Sequence, residues 1–166
     1  MSKILGSWSA MRKYLEQEML ADSLKGRIAY SCTSYPNMDD CKVFEIRVDG
    51  KTYKRFSMET VAFKDKNIEK ETAWKIYWQE KGNVSVESKT EFDDEEFCEA
   101  LKIYRELPIE KSIVHENPLV RMFAVFDRRI GKRTIKKLSE TTEKQPIWLR
   151  ELYMLRVNAE KISDRK

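Results

Sequence analysis

Apolar residues recur with two different periods along this chain, and the changes of period divide it into elements. Residues 7–25 (SWSAMRKYLEQEMLADSLK) place Met11, Tyr14, Leu15, Met19, Leu20 and Leu24 close to helical spacing. With Ser7 or Ser9 as N-cap and Gly26 as stop, this predicts a core-facing helix. At 27–35 (RIAYSCTSY) β-branched and aromatic residues take over, and Pro36 to Asp40 (PNMDD) is turn chemistry. Residues 41–48 (CKVFEIRV) alternate, with Phe44, Ile46 and Val48 on one side, and Asp49-Gly50 is a hairpin signal leading into 51–58 (KTYKRFSM). The expectation is a three-stranded antiparallel meander. Its register has two solutions. A two-residue turn pairs Phe44 with Arg55, whereas a loop one residue longer pairs Phe44 with Phe56 on the apolar face, and the second is favoured because a slip of one residue exchanges the faces.

Residues 67–81 (NIEKETAWKIYWQEK) fit both periods, since Trp74 and Trp78 are i, i+4 while Trp74, Ile76 and Trp78 also alternate. Asn67 as N-cap, the charged composition and Gly82 at the end favour a helix, with GNVSVES adding one short strand. On a shared face the two tryptophans read as core or sheet cover rather than a ligand platform. Residues 93–107 (DDEEFCEALKIYREL) bring Phe97, Ala100, Leu101, Tyr104 and Leu107 into helical register behind an acidic first turn, and Pro108 ends the segment. Beyond Pro108 the pattern is helical throughout. Asn117-Pro118 and Gln145-Pro146 set a proline near a helix start, and PLVRMFAVF and PIWLRELYM echo each other at an offset of 28 residues. In the last helix Trp148, Leu152, Leu155, Ala159 and Ile162 fall at heptad-like spacing. Two weak copies do not make a solenoid. The fold class is therefore α+β: an N-terminal helix and an antiparallel three- to four-stranded meander packed against a C-terminal helical bundle, weakly HEAT-like. We expect a single domain over 1–166, with the helix and meander in 1–90 and the helical part in 91–166.

Composition narrows the function classes. At 166 residues with 36% charged residues, the chain can bury a core without disulfide or metal support, and no apolar run is long enough to span a bilayer. The N-terminus lacks a secretory apolar stretch, so a cytoplasmic protein is expected. Cys32, Cys41 and Cys98 are odd in number and lack any CxxC or Cys/His spacing, which favours a reducing compartment over a zinc site; a Cys32–Cys41 disulfide is the less favoured reading. No Gly-rich phosphate loop, HExxH or GxSxG pattern occurs, so no cofactor, metal or catalytic residue is assigned. His115, the single histidine, reads as a capping or surface residue. Cys32 reads as a buried, inert thiol, and the acidic run Glu91 to Glu99 as a solvated helix start.

Charge is unevenly spread. Residues 118–166 hold 13 Lys+Arg against 6 Asp+Glu, a net of +7, while residues 1–117 hold 19 against 22, a net of −3. Six cations, Arg128, Arg129, Lys132, Arg133, Lys136 and Lys137, lie within 128–137. In an unbroken helix Arg129, Lys132, Arg133 and Lys136 would share one face. Gly131 instead predicts two helices meeting there, with Arg128 and Arg129 in the last turn of the first. This cluster is the candidate binding site. The structural alternative is a solvated face offset by Asp127, Glu140 and the acidic helix at 93–99.

A set of local motifs matches a pattern already seen elsewhere. They are Trp8-Ser9-Ala10-Met11-Arg12-Lys13-Tyr14-Leu15, Ser23-Leu24-Lys25-Gly26-Arg27, Val48-Asp49-Gly50-Lys51, Asn117-Pro118-Leu119-Val120-Arg121, Asp127-Arg128-Arg129-Ile130-Gly131-Lys132-Arg133 and a helix from Trp148 to Arg156. With these the chain resembles a family of small uncharacterised bacterial proteins, and the DRRxGKR element is the most specific part. The resemblance spans nearly the whole chain, is weakest between Met58 and Glu91, and implies no reaction. The functional expectation is a non-enzymatic protein–protein interaction module, toxin-neutralising or regulatory in kind, whose cations meet an acidic protein partner. The alternative is nucleic-acid or phosphate binding by 128–137. No membrane association is expected, and the oligomeric state is left open.

Overall fold

The computed structural model describes residues 7–35 and 38–164. Its elements are α1 (Trp8–Lys13), β1 (Ile28–Tyr35), β2 (Met38–Val48), β3 (Lys51–Phe56), α2 (Met58–Ala62), α3 (Lys70–Glu80), α4 (Asp94–Glu106), α5 (Ile109–Ser112), α6 (Pro118–Val125), α7 (Lys132–Ser139) and α8 (Ile147–Asp164). The architecture is α+β, with one antiparallel sheet in the order β1-β2-β3.

The first helix is interrupted where a single helix over 7–25 is expected. Ser7 caps α1 by accepting the Ala10 amide, a π-helical turn follows over Tyr14–Glu18, and the helical path ends at Met19. The reason is a competing partner. Leu20 and Asp127 form an antiparallel bridge, and the Ala21 amide donates to the Phe126 carbonyl at 2.8 Å. Residues 19–21 are drawn into extended pairing with 126–128. In the region expected as a turn, Pro36 and Asn37 lie outside the described residues and Met38 already opens β2; the side chain of Cys41 also lies outside them.

The hairpin keeps both features that the sequence set in opposition. Asp49 (φ 51°) and Gly50 (φ 83°) make a two-residue turn with both central residues left-handed, so Val48 pairs with Lys51. Phe44 nevertheless pairs with Phe56. The extra residue is a bulge at Tyr53, between the Arg47–Thr52 and Ile46–Lys54 pairs, and not a longer loop. The bulge brings Phe56 to the apolar face, where it and Phe44 are fully buried, and it also sets Lys54 opposite buried Ile46. Lys54 is accordingly buried. Its ammonium donates to the Thr90 carbonyl at 2.7 Å, lies 3.8 Å from a Glu91 oxygen, and stands over the rings of Trp148 and Phe92.

Phe97 of α4 joins the layers. Its ring is 4.4 Å from that of Phe44, 4.9 Å from Phe56 and 5.4 Å from Phe123 of α6, so one aromatic column runs from sheet to helices. The helix is held at its start by a reciprocal capping box between Asp93 and Glu96. The main core draws on α1, the sheet, α4, α6 and α8. A smaller cluster of Met58, Val61, Ala62 and Tyr77 joins α2 to α3.

Three expectations change. Residues 67–81 do form a helix, but its N-cap is Glu69 rather than Asn67. Trp74 packs against Phe63 and the small core cluster, while Trp78 meets the edge of Tyr77 and the Lys81 ammonium and is 58% exposed. The short strand expected in GNVSVES is a 3-10 turn over Val86–Ser88, with no sheet edge beside it. In α8 the buried side is Leu149, Leu152, Tyr153, Arg156, Val157 and Ala159, so of the residues at heptad-like spacing Leu152 and Ala159 are buried while Trp148 and Leu155 are only partly so.

Burial pulls the Lys54 ammonium below its ordinary value, against Glu91, which raises it. The folded state thus gives up this proton before the unfolded chain does. Its burial cost is fully present below the lowered folded value and fades as pH climbs toward 10.5. We expect Lys54→Met to leave stability at neutral pH within about 1 kcal/mol of the parent or above it. Across the alkaline window the parent should gain on the variant, which urea unfolding at several pH values reads directly.

Candidate functional site

Residues 126–131 link α6 to α7, and they are held from three sides. From the N-terminal segment, the Met19 carbonyl accepts the Arg128 amide at 2.8 Å. From α8, the guanidinium of Arg156, 2% exposed, donates to the carbonyls of Val125 (2.7 Å), Asp127 (3.0 Å) and Ile130 (2.6 Å). These are the last carbonyl of α6 and those of the turn, groups that a helix end leaves without an intrahelical partner. The Arg156 Nε–H bonds Glu160 at 2.8 Å, and Glu160 also accepts Ser23 at 2.8 Å.

From within, Asp127 folds its carboxylate back over the turn. It accepts the Arg129 amide at 2.7 Å, the Arg129 guanidinium at 3.0 and 2.7 Å, and the hydroxyl of Tyr104. Its side chain is fully buried. Burial first, and then the Asp127 charge, push the Tyr104 phenol well above its ordinary value, and the Asp127 hydrogen bond raises the Arg129 guanidinium further. A bidentate ion pair closed by a phenol on a fully buried carboxylate braces the turn.

The six predicted site residues are thereby divided. Arg128 and Arg129 lie in the linking turn, beyond the end of α6, and not in its last turn: the Asp127 carboxylate takes the Arg129 amide, and the Arg128 amide is taken by the Met19 carbonyl across the Leu20–Asp127 bridge. Arg129 is committed to Asp127, and the Arg128 guanidinium donates to the Glu18 carbonyl at 2.7 Å. They do not share a helical face with the other four. Lys132, Arg133, Lys136 and Lys137 all belong to α7 and are exposed. At about 100° per residue they span an arc of about 140°. Ile135, which is buried, and Leu138, which is partly buried, face the opposite way. Arg133, Lys136 and Lys137 make no ion pair with any described residue.

The start of α7 carries an electrostatic conflict. Gly131 stands at the N-cap with no side chain to accept an amide, and the first turn holds no acid. Its first two residues are Lys132 and Arg133, at the end where the helix dipole is positive. Beside it lies a polar cleft of about 340 Å³ lined by Ser23, Arg128, Gly131, Lys132, Arg156 and Glu160. Arg156 and Glu160 were missed by sequence reasoning, although a signal existed: Arg156 falls on the same α8 face as Leu149, Leu152, Tyr153 and Val157.

The other candidate chemistry has local explanations. The Nδ1 atom of His115 accepts the Asn117 amide at 3.0 Å, just before α6, which is a capping role. Arg121 donates to the carbonyls of His115 and Glu116, and Arg150 to those of Thr142, Glu143 and Gln145. The echoed proline-arginine segments thus share a device, an arginine turning back to hold the loop before its helix. Cys32 and Cys98 are half-buried free thiols; burial raises both, Cys98 to about 12, which removes the thiolate a nucleophile needs. Among the described residues no three His, Cys, Asp or Glu side chains cluster as metal ligands, and no helix is long and apolar enough to cross a membrane.

A family model, that of the SF0329 protein family, matches residues 7–157. The chain belongs to the SF0329 protein family. No curated protein and no solved structure matches it. In this SF0329 member the matched span takes in α1, the sheet, the linking turn, α7 and α8 as far as Val157, and therefore includes Arg156.

Arg156→Lys should lower the unfolding free energy by about 3 kcal/mol, because one ammonium cannot serve three carbonyls and Glu160 at once. Arg133→Lys on α7 should change it by less than about 0.5 kcal/mol. Urea titration of the two variants side by side gives both numbers.

Proposed function

We propose that this protein is a non-enzymatic binding module whose α7 engages an acidic surface on another protein, as a toxin-neutralising or regulatory protein would. The observation that carries this reading is Arg133, exposed and without an ion pair among the described residues, in the first turn of an α7 that Gly131 leaves without a side-chain cap. Stability alone would favour acids in that turn, and each cation there costs about 0.3–1 kcal/mol. The same local argument explains Lys136 and Lys137, which sit near the C-terminus where cations are favourable, but it does not explain Arg133. An anionic partner does.

The commitment of Arg128 and Arg129 to the fold reduces the exposed α7 face to four cations, and no aromatic side chain stands among them. That leaves little for stacking unpaired bases and few phosphate contacts, each of which would contribute a salt slope of about −0.9 on duplex. A compact acidic protein surface suits an eight-residue helix better.

The triple substitution Arg133→Glu, Lys136→Glu and Lys137→Glu tests this reading. The variant should remain folded, with stability within about 1 kcal/mol of the parent, since none of the three is buried or paired. Tagged parent protein in native extract at low salt should retain a nuclease-resistant protein that the variant and high salt both release. Identical retention by parent and variant would overturn the proposal. Retained material that nuclease removes would assign the face to nucleic acid instead.

A further inference from the structure

A second surface, separate from α7, lies where the sheet ends. β3 is an edge strand, and no described segment forms a backbone hydrogen bond to its outer side. Next to that edge, the first turn of α8 and the Thr90–Glu91 loop enclose a cleft of about 540 Å³, lined by Tyr53, Lys54, Arg55, Glu91, Ile147 and Trp148 among others. Ile147 is 68% exposed at its mouth, and Met154, two turns further along the same side of α8, is 41% exposed. Inside the cleft, Lys54 is charged and 7% exposed at its side chain, with one acceptor, the Thr90 carbonyl, at hydrogen-bond distance. The indole N–H of Trp148 is buried without an acceptor.

We propose that this cleft docks an extended, acidic peptide segment of a partner protein, which adds to β3 as a fourth strand and lays an apolar side chain over Ile147. A free strand edge bordered by a helix is the arrangement in which strand addition operates: main-chain bonds supply affinity, and alternate side chains entering the groove supply selectivity. Charge selects the occupant. β3 reads KTYKRF, with Lys51, Lys54 and Arg55 and no acid. A second copy of this chain, paired antiparallel through β3 about Tyr53 or Lys54, would set Lys51 against Arg55 or Lys54 against its own copy, which is destabilising across strands. Arg55 is held by Glu45 at 3.0 Å, and Lys51 and Lys54 attract a strand carrying carboxylates. The residue of the added strand opposite Lys54 enters the cleft and brings its carboxylate to the ammonium.

The two acids of the cleft are already engaged, Glu151 by the Tyr53 hydroxyl at 2.7 Å and Glu91 by Lys54 at 3.8 Å. The Tyr53 bulge and the edge cations, which guard against indiscriminate pairing, narrow the choice of strand without closing the edge. This surface does not depend on the α7 reading.

The probes are two pooled octapeptide libraries, one alternating glutamate with β-branched residues and one alternating lysine with them. The glutamate pool should be retained at least about tenfold more than the lysine pool. Hydrogen exchange should slow at outer amides within Lys51–Arg55. Ile147→Glu, at an exposed position that leaves the fold intact, should abolish retention; Lys54→Met should remove the preference for acid; and the α7 triple substitution should change neither. Equal retention of the two pools, no protection at β3, or protection confined to another element would overturn the proposal.

Discussion

The carboxylate of Asp127 is held away from water by Tyr104, by the Arg129 guanidinium and by the Arg129 amide, while Arg156 and residues 19–21 hold the backbone on either side of it. A buried carboxylate without such partners would be strongly destabilising, so the turn has one tolerable arrangement. Three consequences follow from it. The N-terminal helix must end at Met19 to supply the pairing strand, α6 must end at Phe126, and α7 must leave the turn with Ile135 toward the interior and its cations outward. A charge-rich stretch that reads as one feature in the sequence is thus split into two arginines that brace the turn and four cations on α7.

The same conflict between local preference and long-range demand recurs in the hairpin. Asp49-Gly50 specifies a tight turn, and the burial of Phe44 against Phe56 specifies a different register. The bulge at Tyr53 satisfies both, and in doing so it buries Lys54. That lysine and the exposed Ile147 define the cleft beside β3, so a packing solution inside the sheet creates a chemically distinctive surface at its edge.

Much of this architecture was legible in the sequence because it rests on local signals. The meander, the helix behind Asp93, the proline at the start of α6 and the break at Gly131 all follow from spacing and turn chemistry, and the Phe44–Phe56 pair follows from matching apolar faces. What was not legible depends on contacts distant in sequence. Nothing near residues 7–25 announces that Leu20 will pair with Asp127. Asp127 was legible as an offset to the cluster, but not as a buried carboxylate that takes the Arg129 guanidinium through two bonds, since that geometry requires Tyr104 and Arg156 to close the turn. Trp78 was misjudged because periodicity cannot tell the covered side of a short helix from its open one. In α8 the heptad-like spacing of Trp148, Leu152, Leu155, Ala159 and Ile162 leaves Arg156 out, yet its guanidinium is inside because three carbonyls and Glu160 meet its donors.

Native-state hydrogen exchange tests the place given to the Asp127 turn most directly. If the turn organises the chain, the amides of Ala21 and Arg128, bonded to Phe126 and Met19 across the bridge, exchange only with the global unfolding that also releases Leu101 in α4. Exchange of Ala21 and Arg128 through a local opening, at a free energy well below that of Leu101, would make the turn a peripheral clasp and contradict the account.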